Sequence, residues 1–184
     1  MIKFIDYFKE RNKIQKQFEK DEDGRAIVNI SISDKGQILS PFCYEGKETI
    51  NDEFAGFLDN VVKSIPPKQN INLTIDCKDI TDYEKGNFAL AIKNHYQNKL
   101  IDTQLRIKKL NYFFAACILL SALSLGLLYL VNYLAAPFIL IEIVDILAWV
   151  FVWEAVDIFF FQEGLLRLEK TRCLALIKSK IRYV

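Results

Sequence analysis

Apolar positions recur at helical spacing early in the chain, with Ile5 and Phe8, then Ile14 and Phe18. That spacing predicts a helix over residues 2–20, closed by Asp21-Glu22-Asp23-Gly24. The period then drops to two. Val28, Ile30 and Ile32 alternate with Asn29, Ser31 and Ser33, as in a half-buried strand. Asp34-Lys35-Gly36 reads as a turn and Gln37–Tyr44 as the hairpin partner. Phe54, Phe57, Leu58, Val61 and Val62 share one side of a helix over Asn51–Ser64, which Pro66-Pro67 stops. Asn70–Cys77 alternates again, with Ile71, Leu73, Ile75 and Cys77 on one face. From about Asp82 a helix carries Phe88, Ile92 and Tyr96 and meets no proline before Pro137. At the end of the chain Ile177, Ser179, Ile181 and Tyr183 alternate with basic residues, which predicts a strand returning to the first sheet.

Two longer patterns have no polar period. Leu110–Leu134 and Pro137–Phe161 are apolar runs, each longer than the ~20 residues a helix needs to cross ~30 Å of hydrocarbon. No Lys or Arg occurs from Leu110 to Phe161, and the link between the runs is short and uncharged. The expected fold is therefore an α+β cytoplasmic domain, a mixed sheet with flanking helices, plus a two-helix transmembrane hairpin. Residues 1–106 form the domain, 107–161 the hairpin, and 162–184 a cytoplasmic basic helix and strand that join the domain.

Composition supports a membrane reading, since 52 % of the 184 residues are hydrophobic. The opening MIKFIDYFKERNK has no apolar core or cleavage site, so it does not read as a signal peptide. Arg106, Lys108 and Lys109 precede the apolar block, and Arg167, Lys170 and Arg172 follow it. The positive-inside bias then predicts two spans with both termini facing the cytoplasm. Outside the block, 24 bases face 19 acids, a net +5. Such a surface suits anionic headgroups or another polyanion. Cys43, Cys77, Cys117 and Cys173 lack metal or redox spacing and read as reduced thiols.

The second run contains four carboxylates, Glu142, Asp145, Glu154 and Asp157. At about 100° per residue, with Glu142 at zero, Asp145 falls near −60°, Trp149 near −20°, Trp153 near +20°, Asp157 near +60° and Glu154 near +120°. All six share half of the helix; Val144, Leu147, Ala148, Phe151, Ala155, Ile158 and Phe159 occupy the half expected to face lipid. A charge at the bilayer centre costs at least ~2.5–3.5 kcal/mol. Two arrangements meet that cost. Several copies turn these faces to a shared axis, so that Glu142, Asp145, Trp149, Trp153, Glu154 and Asp157 line a wet, cation-favouring pore. Alternatively Glu142 and Asp145 sit at a helix N-terminus, and Glu154 and Asp157 pair with Lys108 and Lys109. Ala122 and Gly126 in the first run permit close helix approach, within one subunit or between subunits.

Enzyme chemistry has no footing here. His95 is the one histidine, the seven glycines form no phosphate loop, and no metal cluster or nucleophile–base pattern appears. The expectation is a non-enzyme without cofactor or metal. Lys178, Lys180 and Arg182 alternate along the terminal strand ~6.6–6.8 Å apart, close to the phosphate spacing of an extended single strand. They are the expected ligand-binding residues, with a solvated outer face as the alternative.

The run AWVFVWEAVDIFFF (148–161), with the basic helix and terminal strand after it, resembles small two-span bacterial membrane proteins bearing a W-E-A-x-D-x-F signature, and within these the membrane effectors of anti-phage defence of the Hailong type. The resemblance covers the membrane half and the tail, with Trp149, Trp153, Glu154 and Asp157 as matching positions. It implies an oligomeric ion channel whose opening harms the host cell. It further implies closure by a single-stranded DNA oligomer made by a partner nucleotidyltransferase. The expected function is thus a homo-oligomeric channel, a tetramer being the size considered, set in membrane lipid and gated by an anionic ligand. The rival is a membrane-anchored adaptor whose α+β domain recruits a protein partner without conductance.

Overall fold

The computed structural model describes residues 19–32, 36, 38–42, 47–67, 69–77 and 80–184. The helix expected over 2–20 lies outside them except for Glu19 and Lys20, and Lys20 forms an antiparallel bridge to Ala26. The chain divides into two compact units, Met1–Ile101 with Lys170–Val184, and Asp102–Glu169.

The first unit holds a three-stranded sheet in the order β1 (Ala26–Ile32), β2 (Ile71–Cys77), β3 (Lys180–Tyr183). Both pairings are parallel, so the mixed sheet expected from the sequence is corrected. The helix α1 (Asp52–Lys63) lies between β1 and β2 in the chain and returns it to the starting end, as a parallel pair requires. Of the turn expected at 34–36 only Gly36 is described, and no described residue of the expected hairpin partner pairs with β1. Among the described residues of 37–44, Leu39 bridges Ile50 instead, and Ile38 is buried.

Register explains the core. Val28, Leu73 and Ile181 lie abreast, as do Ile30, Ile75 and Tyr183. This apolar face shares a core with Leu58 and Val62 of α1, Phe88, Ile92 and Tyr96 of α2 (Asp82–Tyr133), and Cys173 and Leu176 of α4 (Glu163–Ile177). Burying a side chain such as Leu58, with no exposed surface, stabilises by roughly 1.5–3 kcal/mol. The other sheet face is polar: Asn29, Thr74 and Arg182 are abreast, with Asn72 beside Lys180.

Helix ends follow local chemistry. The Asn51 side chain accepts from the Glu53 backbone N–H (3.4 Å) and starts α1. At the start of α2, Thr81 N–H donates to Glu84 Oε2 (2.8 Å) and Glu84 N–H donates to Thr81 Oγ1 (3.3 Å), a reciprocal capping box. With no proline to stop it, α2 runs for 52 residues as the sequence suggests. Between α1 and α2, Tyr96 Oη donates to Asp59 Oδ1 (3.2 Å) and to the Ala55 carbonyl (3.3 Å), while Lys99 pairs with Asp59. Burial, and then the Asp59 charge, hold the Tyr96 hydroxyl far above its usual range.

In the second unit α2 ends in a Schellman turn. Ala136 N–H donates to the Val131 carbonyl (3.2 Å) and Ala135 N–H to that of Asn132 (3.1 Å). Ala135 stands at φ +50°, where glycine is usual. The helix α3 (Phe138–Asp157) follows, then one π-helical turn, Ile158–Gln162, leading into α4.

The transmembrane expectation also needs correction. Asp82–Tyr133 is the one described helix long and apolar enough to cross a membrane, its most apolar window having a mean hydropathy of 2.4. Only 17 % of that window is buried within the molecule, unlike the core helix of a soluble protein. The 20-residue α3 does not qualify, because four carboxylates break its apolar run. The described residues thus hold one long apolar helix rather than a two-helix transmembrane hairpin. The placement of both termini on one side, which needs an even number of spans, loses its basis.

Candidate assembly face and anion-binding strand

The sequence gives α3 two unlike sides, and the structure uses them differently. Val144, Ala148 and Ala155 are buried, as is Ile158 at the start of the π-turn. Ala155 and Ile158 form an apolar cluster with Cys117, Leu110 and Phe114 of α2, and the Phe114 and Phe159 rings stand 6.2 Å apart. Of the half expected to face lipid, Ala155, Ile158 and Phe159 therefore meet α2. The small side chain of Ala155 leaves room for that contact.

The opposite side is left open. Trp149 is 55 % exposed and Trp153 65 %. They line a shallow groove of about 560 Å³ with Ile146, Val150, Glu154 and Asp157. Of the six residues expected to line a pore, the structure brings Trp149, Trp153, Glu154 and Asp157 together. Glu142 and Asp145 share the helix but do not line this groove. All six precede the π-turn, so their angular relation is that of an unbroken α-helix.

The local explanation for the acids meets two obstacles. The first turn of α3 carries no acid, and the dipole fades beyond it, so Glu142 and Asp145 gain little from the N-terminus. Among the described residues no ion pair joins Glu154 or Asp157 to Lys108 or Lys109. Asp157 accepts instead from Gln162 Nε2 (2.7 Å), a contact across the π-turn that helical spacing does not announce. One turn further on, Arg167 is held by Glu163 at 2.6 Å.

The basic strand is shorter than expected. Because α4 continues to Ile177, Lys178 falls in the turn before β3 and is not on the strand. Lys180 and Arg182 are exposed at alternate strand positions, and Lys180 pairs with Asp23 at 3.3 Å. Beside Lys180, Asn72 is buried with Nδ2 donating to Asp21 Oδ2 and, among the described residues, Oδ1 without a partner. Sequence reasoning missed Asn72; its signal was a polar residue in the central strand of a parallel sheet, where apolar residues are usual. No protein-family model, curated protein or solved structure matches this chain.

Proposed function

We propose that this chain is a membrane protein that assembles through the tryptophan–carboxylate side of α3, copies turning that side toward a shared, wet, cation-favouring path. The observation that carries the reading is the open groove of Trp149, Trp153, Glu154 and Asp157 on the side of α3 away from α2. Large exposed aromatics next to acids that meet no base among the described residues suit neither lipid nor a solitary molecule in water. In this reading α2 is the lipid-facing element, in a bacterial inner membrane. Arg106, Lys108 and Lys109 hold the preceding residues on the cytoplasmic side. The resemblance noted above adds the role of a host-damaging effector in anti-phage defence. A polyanion, in that scheme a single-stranded DNA oligomer, would bias the path open or shut from Lys180 and Arg182.

Planar-bilayer recording on purified protein tests this. The expected result is a cation-preferring conductance that Glu154→Gln with Asp157→Asn makes less selective. Oligomer mass in mild detergent should exceed one chain and fall toward it in Trp149→Ala with Trp153→Ala. The rival adaptor predicts no conductance in any variant, and unchanged selectivity in the acid variant would remove the carboxylates from the path.

A further inference from the structure

Among the described residues the outer edge of β1 is open beyond Ile27, and its chemistry is unusual for an open edge. In a parallel strand each residue directs both its backbone N–H and its C=O to one side. Ala26 N–H donates to Asn70, on the β2 side, whereas Ile27 N–H donates outward to Glu19 (2.8 Å). Asn29 and Ser31 share the phase of Ile27 and so face outward. Among the described residues neither has a backbone partner on that side. Natural edges are blunted by charge, proline or shortness. β3 follows that rule, with four residues including Lys180 and Arg182. β1 is AIVNISI, seven residues with no charge and no proline.

Beside this edge runs a groove of about 290 Å³. Residues 29–32 line it from β1, and Glu53, Phe54 and Phe57 line it from α1, together with Ile38. Phe57 is 46 % exposed. A strand edge facing a helix across an apolar groove is the arrangement in which a peptide adds as a further strand and drops alternate side chains between the two. Glu53, the one charged residue among those lining the groove, marks the sign of the partner at that end.

We infer that the groove between β1 and α1 binds an extended peptide with alternating aliphatic residues and a basic residue placed to meet Glu53. The peptide bonds the Asn29 and Ser31 backbone groups, sets an aliphatic side chain against Phe54 and Phe57, and pairs its base with the carboxylate. This site is independent of the assembly proposed for α3.

The test is fluorescence anisotropy on the full chain in mild detergent. The probe is a fluorescein-labelled octapeptide of alternating valine and threonine ending in lysine. Saturable binding is expected. Methylating the backbone nitrogens on the strand side that meets β1 should weaken it roughly tenfold; methylating the alternate set should not. Ser31→Pro, which removes an outward N–H at an edge where proline is tolerated, should weaken it similarly. Glu53→Gln should weaken the lysine peptide and leave an acetyl-lysine peptide unchanged. Equal binding by both methylated peptides, or no saturable binding at millimolar peptide, overturns the proposal. So does self-association of the chain that Ser31→Pro abolishes without any peptide binding, which would assign the edge to a second copy.

Discussion

Whether α3 can enter lipid by itself is decided by its four carboxylates, and the balance can be worked. The helix contains twelve Ile, Leu, Val and Phe residues. At about 0.3–0.6 kcal/mol each these favour insertion by roughly 4–7 kcal/mol. Four acids at ~2.5–3.5 kcal/mol each oppose it by up to about 10–14 kcal/mol, less for those near the ends. The isolated segment should therefore insert poorly. Replacing Glu142, Asp145, Glu154 and Asp157 together by alanine should turn it into an efficient span. Glycosylation mapping of residues 138–157 in a host protein reads this directly, with 110–133 as the inserting control. Efficient insertion of the unaltered segment would refute the reasoning and restore a second lipid-facing helix.

Other outcomes follow from named contacts. Ala135→Gly should stabilise the second unit by about 1 kcal/mol, since it removes a Cβ from a left-handed residue; guanidinium or thermal unfolding in detergent reads the sign. Tyr96→Phe should destabilise by about 1–3 kcal/mol, because the Asp59 carboxylate loses a donor beneath a buried ring, whereas Lys99→Met should leave the ring packing intact. His95 is held below its usual pKa by desolvation and then by Lys99. As pH falls through about 6.5 the unfolded chain takes up a proton that the folded one resists, so stability falls. His95→Gln should flatten that part of the pH profile of the melting temperature. Burial raises the Tyr183 hydroxyl to about 12, with the nearby Cys77 adding to the effect. Its absorbance titration should therefore lag behind that of an exposed tyrosine.

The elements of the first unit were legible because their signals are local. Asn51 and Pro66 bound α1, and the alternations at 26–32 and 71–77 mark strands, whichever way those strands pair. Pairing direction was not legible. A turn signal at 34–36 competes with a crossover through α1, and only the non-local fit of Leu73 between Val28 and Ile181 settles it. Periodicity likewise put Lys178 on a strand, since it does not register that α4 remains helical to Ile177 while Cys173 and Leu176 stay in the core. In the second unit the sequence alone separated the two sides of α3, because residue spacing fixes angle on any helix. Which side meets α2 depended on contact: Ala155 and Ile158 fit against Cys117 and Phe114, and the bulky tryptophans and charged acids are left outside. Sequence thus determined which residues share a face, a property of one element's geometry. Tertiary structure decided what each face touches, which depends on shape and charge brought together from distant parts of the chain.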